Sequence, residues 1–189
     1  MSVRVVLLSL VVVRLASALP VAVYIPQHLF RDDEFETVVK VIERAKIPVA
    51  TVAHDTSVAQ GIDGLLVKPQ FLLKEVTPED FAALVLVDGS GVSVYWQDSV
   101  LHRLCREFAA AGRLVAAIEL APIVLAYAGV LRDKTATVFP NYFSIRTLKE
   151  NGCRHRFGSV VRDGNIITAA KAEHALAFAR AIVRVLKPR

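Results

Sequence analysis

The sequence predicts an α/β fold: a doubly wound, mostly parallel sheet with helices on both faces, in three layers. Three observations carry this. Short runs along the chain are apolar throughout, as strands covered on both faces must be. Between them lie segments whose apolar residues recur at helical spacing. Turn residues close most of these segments, and no repeat or linker interrupts the alternation.

Val21–Ile25, closed by Pro26, reads as the first buried strand, and Pro26–Glu34 as the loop beyond it. Asp32 or Asp33 is placed to cap the next helix, whose Phe35, Val38, Val39 and Ile42 fall at i, i+3, i+4 and i+7. Pro48–Ala53 is the second strand, and Val58–Lys68, with Gly61 and Gly64, reads as a small hairpin. Thr77–Asp80 is a helix start or turn. Ala82–Val87 is the third strand and ends at Asp88-Gly89-Ser90-Gly91. Asp98–Ala111 is a helix ended by Gly112. Leu114–Ile118 is the fourth strand, and Leu120–Ala128 an apolar helix ended by Gly129. Thr135–Val138 is a short strand. Ser159–Val161 and Asn165–Thr168 flank a turn at Asp163-Gly164, and Ala170–Leu186 is the closing helix.

The chain has 189 residues, 54% of them hydrophobic and 22% charged, which suits one domain and excludes a disordered chain. No apolar run approaches the ~20 residues of a membrane span. Two cysteines are too few for a disulfide framework or a cysteine-built zinc site. The net charge of +5 is dispersed, with no basic face and no reading motif, so no nucleic-acid partner is expected.

The first eighteen residues stand apart. Met1–Arg4 is short and basic, Val5–Val13 is apolar but for Ser9, and Ala16-Ser17-Ala18 has the small-x-small pattern of a cleavage site. Residues 1–18 thus read as a signal peptide, with a single domain over 19–189 that is exported, secreted or periplasmic. Arg14 interrupts the apolar region, so an additional N-terminal strand or an early start codon stays open, with the protein then cytoplasmic.

Sheets of this kind place their sites beyond the carboxyl ends of the strands. Those ends carry a resemblance. Leu114-Val-Ala-Ala-Ile-Glu119-Leu-Ala-Pro122, running on to Ala128-Gly129-Val-Leu131, resembles the nucleophile-elbow segment of the ThiJ/PfpI family, within the flavodoxin-like, class I glutamine-amidotransferase-like superfamily. The family pattern is Ala-Ala-Ile-Cys-x-x-Pro, then a helix ending in Ala-Gly-x-Leu. Phe30–Phe35 is similar to the family's first loop and helix. Asp88-Gly89-Ser90-Gly91 stands where the family has Gly-Gly-x-Gly, and Asp163–Thr168 with Ala177-Phe178 resembles its closing hairpin and helix. The match spans Val21 to Leu186 and implies a flavodoxin-like three-layer fold.

The resemblance also locates the departures. Glu119 stands at the position of the family's nucleophilic cysteine, and Glu34 matches its acidic partner. Leu120 and Phe139 stand where many relatives have a histidine. A glutamate cannot do thiol chemistry, so protease, deglycase and glyoxalase activities of the usual mechanism are not expected. Cys105 is expected in the core. Cys153, beside Arg154 and His155, is expected as an exposed thiol remote from the elbow.

Glu34 and Glu119 are the candidate catalytic residues, two carboxylates in one pocket. One should hold a proton near neutrality, bind a cation or pair with a base; otherwise Glu119 simply caps the helix N-terminus. Arg31, Gly89, Ser90, Leu120, Phe139 and His28 are the candidate binding residues around them. Tyr95 and Trp96 are placed to wall the pocket or a dimer contact. The histidines show no metal-ligand spacing, and neither a metal nor a cofactor is expected. Three functions follow: a non-thiol pseudoenzyme that binds a small molecule or serves in stress; a hydratase- or hydrolase-like enzyme using the carboxylate pair on a small carbonyl compound; or a structural subunit paired with a competent relative. A homodimer is expected.

Overall fold

The computed structural model describes residues 19–187. The leader reading of residues 1–18 lies outside them. In chain order the elements are β1 (Val21–Tyr24), β2 (His28–Phe30), α1 (Asp32–Arg44), β3 (Val49–Ala53), β4 (Ala59–Gly61), β5 (Leu66–Val67), β6 (Phe71–Leu72) and β7 (Ala83–Leu86). They continue as α2 (Ser99–Ala110), β8 (Leu114–Ile118), α3 (Pro122–Tyr127), β9 (Thr135–Ala136), α4 (Tyr142–Glu150), β10 (Arg154–His155), β11 (Val160–Asp163), β12 (Ile166–Ala169) and α5 (Ala175–Leu186).

Seven strands form the central sheet in the order β11-β12-β8-β7-β1-β3-β6. All neighbours pair in parallel except β11 with β12, whose tight turn at Asp163-Gly164 makes them antiparallel. The chain winds outward from β1 through β3 to β6, then returns to the other side of β1 at β7. That reversal puts a switch point between β1 and β7, where crevices open beyond the strand ends.

Side-chain alternation divides the core. Ala22, Tyr24, Leu84, Leu86, Val115 and Ala117 face α2 and α3 and pack with Leu104, Phe108 and Ile123. Val21, Val23, Val85, Ala116, Ile118 and Ile167 face α1 and α5 and pack with Val38, Ile42, Phe178 and Ile182. A strand with both faces covered has no polar positions to spare, and β1, β7, β8 and β12 are buried at every residue.

Several expectations need correction. Asp32 does not cap α1; its carboxylate accepts the N–H groups of Asp63 (3.1 Å) and Leu65 (2.7 Å) and anchors the β4–β5 hairpin, while the N-cap position belongs to Arg31. Asp33 accepts its neighbour Glu34's N–H at 2.9 Å. His28 lies on β2, which adds a parallel strand to the hairpin, and not in an open loop. The Thr135–Val138 strand shrinks to β9, which pairs with β10 outside the main sheet. Helix α4 has no counterpart among the expected elements. Cys153 is 6% exposed, because the chain leaving α4 tucks it among Leu131, Ala136 and Leu148. Burial pushes its thiol up to about 11, and that of Cys105 up to about 12.

Candidate functional site

Three strand ends meet at the switch point. Glu119 follows β8 on a sharp strand-to-helix turn, with φ +57°. A left-handed conformation costs a non-glycine residue roughly 1–2 kcal/mol. Backbone hydrogen bonds hold it there: the Glu119 N–H donates to the Ala169 carbonyl at 2.9 Å, and the Phe139 N–H donates to the Glu119 carbonyl at 2.8 Å. At about 1 kcal/mol net each, they offset the strain. This is the geometry of a nucleophile elbow, which thrusts one side chain out from the end of the sheet.

Glu34 lies in the first turn of α1 and is fully buried. Its Oε2 accepts the Asp88 N–H at 3.1 Å. Glu34 Oε1 and Glu119 Oε2 are both buried and make no hydrogen bond within the protein. Burial, foremost, and then the charges of Asp88 and Glu119 raise the Glu34 pKa well above the ordinary carboxylate range.

Asp88 completes the group without being among the candidate site residues of the sequence. Standing beyond β7, it is 2% exposed. Its Oδ2 accepts the Leu120 N–H at 3.0 Å, and its carbonyl accepts the Arg31 N–H at 2.8 Å. It therefore ties the loops after β1, β7 and β8 together. Burial pushes its carboxyl up to about 7; the Leu120 N–H pulls the other way and the Glu119 charge adds to the rise. The signal was present in the sequence: a carboxylate at the end of an apolar strand, read there only for the glycines that follow it.

The other candidates fall as follows. The Arg31 guanidinium is half-exposed, 3.8 Å from Glu119 Oε2 and 3.3 Å from Asp33 Oδ1. Gly89 has φ +141°, and a Cβ there would stand 2.1 Å from the Leu29 carbonyl oxygen, so only glycine lets this loop press against β2. Ser90 is exposed and starts a 3-10 turn. Leu120 and Phe139 contribute backbone N–H groups as described. His28 is exposed, and its carbonyl is what Gly91 packs against. Glu119 does not cap α3: Asp88 takes the first amide after the elbow, and α3 begins only at Pro122.

Trp96, expected as a pocket wall or dimer contact, stacks on Phe143 with ring centroids 5.3 Å apart. His54 stacks on Tyr95 at 4.3 Å and bridges the Tyr24 hydroxyl (3.3 Å) and Asp98 (3.2 Å).

A parallel sheet wound from β1, an elbow after β8 and a buried acid beyond β1 define a class of α/β proteins with a strand-end site. The chain belongs to the DJ-1/PfpI family, whose model matches residues 20–185. It is 34% identical over 159 residues to a protein of Methanocaldococcus jannaschii, covering 84% of this chain and 78% of that one. It is 27% identical over 162 residues to a deglycase of Pyrococcus horikoshii, covering 86% and 89%. Among solved structures, a ThiJ/PfpI domain protein of Brachyspira murdochii superposes with TM-score 0.86 at 25% identity, covering 90% of this chain and 97% of that one. DJ-1beta of Drosophila melanogaster gives TM-score 0.80 at 27% identity, covering 91% and 92%.

Proposed function

We propose that this family member works without a thiol and holds a small molecule at a protonatable carboxyl cluster formed by Glu34, Asp88 and Glu119. The observation that carries the reading is the side chain on the elbow. It is a carboxylate, it faces a second buried carboxyl group, and both cysteines are buried in the core elsewhere. A reactive thiol needs access and a lowered pKa, and burial pushes both thiols the other way. The test is direct. Purified protein incubated with methylglyoxal should show no turnover above buffer, and Cys105→Ala and Cys153→Ala should leave ligand-induced thermal shifts unchanged. Turnover that tracks either cysteine overturns the reading.

A second reading, acid–base catalysis on a small carbonyl compound, is favoured by one observation: a carboxyl group at about 7 can give and take a proton at neutral pH. Slow hydration or enolisation abolished by Asp88→Asn would establish it. Two further parts of the proposal concern the whole protein. Exposed Leu29, Val58, Ile62 and Leu66 around the small sheet support a homodimer, which sedimentation velocity decides. The leader pattern of residues 1–18 supports export with a mature terminus near Leu19, which mass spectrometry of the native protein decides.

A further inference from the structure

The amino ends of the strands, opposite the elbow, frame a cavity of about 470 Å³. Its apolar walls are Ala82 just before β7, Leu114 at the start of β8, and Val185 and Leu186 at the end of α5. That volume falls within the ~300–1,000 Å³ of small-molecule pockets. The charged side chains in it are Arg113 and Arg162, and no acidic residue lines it. A smaller cavity of about 220 Å³ adjoins it through Ala82, Arg113 and Leu186, and its charged residues are Arg113 and Lys187.

Both guanidinium groups are held from behind. Arg113 Nε donates to the Pro78 carbonyl at 2.8 Å, and Arg162 Nε donates to the Gly164 carbonyl at 2.9 Å. Asn165, next to Gly164 in the chain, ties the two walls together, because its Nδ2 donates to the Arg113 carbonyl at 2.8 Å. With Nε engaged, the paired Nη groups of each arginine remain as donors. Asp163, the acid beside Arg162 in sequence, is turned elsewhere: it faces Lys134 at 3.7 Å and accepts the Thr135 N–H at 2.8 Å. Among the described residues neither arginine forms an ion pair. Nor do the helix ends need them. The Glu107, Phe108 and Ala109 carbonyls of α2 accept the N–H groups of Ala111, Arg113 and Gly112, and Asn165 Nδ2 reaches Ala109 as well at 3.1 Å. At the end of α5 the Lys187 N–H serves the Val183 carbonyl.

We propose that this cavity binds a small organic acid, its carboxylate paired with Arg113 and Arg162 and its apolar body laid against Leu114, Val185 and Leu186. A carboxylate matches the planar fork of a guanidinium at two points, which a compact charge does not. A bare inorganic anion leaves the aliphatic wall in water, a neutral apolar molecule leaves the arginines unused, and an organic cation meets two like charges. The ends of α2 and α5 oppose an anion here with about half an elementary charge each, against a full positive charge on each arginine. The site is separate from the elbow: β8, five residues long, stands between them and sets them roughly 15 Å apart.

Isothermal titration of the full chain with hexanoate at neutral pH and low salt tests this. The expected result is saturable binding at one site, weakened several-fold as salt rises from about 20 to about 200 mM. Hexylammonium, with the same tail and the opposite charge, should not bind, and inorganic phosphate should bind about tenfold more weakly or less. Arg113→Gln should weaken hexanoate binding about tenfold, and Arg162→Gln, whose guanidinium is exposed, several-fold. Arg103→Gln removes a cation outside the cavity and should leave hexanoate affinity unchanged. Should Arg113→Gln fail to melt cooperatively, Arg162→Gln carries the test. Absence of saturable hexanoate binding to protein that melts cooperatively overturns the inference. So does equal affinity for hexylammonium or for inorganic phosphate, full affinity in the Arg162→Gln variant, or a loss in Arg103→Gln as large as that in Arg162→Gln.

Discussion

The Asp88 carboxylate accepts the Leu120 N–H at 3.0 Å, so the first amide after the elbow is taken by a side chain from the neighbouring strand end. In an elbow hydrolase that amide is half of an oxyanion hole. Here an internal acid fills it, and the same residue's N–H holds Glu34 at 3.1 Å. Asp88 is at once the clasp of the site and one of its titrating groups.

Stability should therefore fall as pH rises from about 4 through neutrality. Asp88 is raised from 3.8 to about 7, and Glu34 is raised as well, so both bind protons more tightly folded than unfolded. Their contribution is fully present below the unfolded pKa and is lost as pH passes the folded one. Each displaced unit is worth about 1.4 kcal/mol. Urea midpoints should drop between pH 4.5 and pH 8. Asp88→Asn, which keeps an acceptor for the Leu120 N–H, should flatten the neutral part of that slope. Midpoints that climb steadily over the range would contradict the burial of these groups in their protonated forms.

Replacing Glu119 should stabilise the protein near neutral pH. Glu119→Gln removes a charge that opposes ionisation of Glu34, and its amide can donate to that carboxylate. The Glu34 pKa should fall but stay above the ordinary range, because burial and not repulsion is its first cause. Glu119→Gly should gain roughly a further 1 kcal/mol by relieving the conformation at φ +57°. Carbon-detected NMR titration of the Glu34 carboxyl and urea unfolding measure the two effects. An unchanged Glu34 titration in Glu119→Gln would mean the carboxyl groups do not interact.

The loop that carries Asp88 should tolerate no Cβ. At Gly89 the added atom would lie 2.1 Å from the Leu29 carbonyl oxygen, and at Gly91 1.8 Å from that of His28. Backbone atoms cannot swing aside as a lysine tip can. Either alanine substitution should cost more than about 2 kcal/mol, and Gly89→Ala should also disturb the Asp88–Glu34 bond. Gly112→Ala is the control. Its φ is +70° with nothing within 4 Å of the new atom, so it should cost only about 1 kcal/mol. Equal losses at all three positions would show that close approach is not what these glycines serve.

How much of this was legible in the sequence follows from periodicity and length. Strands covered on both faces leave unbroken apolar runs, so Val21–Tyr24 and Leu114–Ile118 are plain, as is α1 from the spacing of Phe35, Val38 and Ile42. Helix α4 is not, because its buried residues are Ser144, Thr147 and Leu148, two of them polar. Its one sign was Asn141, whose side chain accepts the Ser144 N–H at 2.8 Å. The strands β5, β6, β9 and β10 are two residues long, too short for any period. Missing α4 also hid the burial of Cys153. Glu34 and Glu119 were visible because each stands beyond an apolar strand at a position the resemblance marks. Asp88 stands in the same relation to β7, but an aspartate ahead of glycines carries the same signal as an ordinary turn.

Placing a cysteine on the elbow separates the turn's geometry from its electrostatics. In Glu119→Cys the backbone bonds with Ala169 and Phe139 remain, so the new thiol should occupy the largely buried tip of an intact turn. A thiolate there would meet the Asp88 carboxyl, which already holds the Leu120 N–H, and the buried Glu34. Like charges raise a thiol's pKa, and the amide that would stabilise the thiolate is engaged. The single variant should therefore alkylate no faster than an ordinary exposed thiol at pH 7. Glu119→Cys combined with Asp88→Gly frees the amide and removes one of the two neighbouring carboxyl groups, so its thiol pKa should fall by about one unit or more. The unmodified protein is the baseline and should react slowly, since Cys105 and Cys153 are both buried. The rate of reaction with iodoacetamide from pH 5 to pH 10 gives each pKa. A single variant that is already fast and low in pKa would show that Asp88 does not control the elbow. A double variant no more reactive than the single one would show that the Leu120 amide does not face the side chain at position 119.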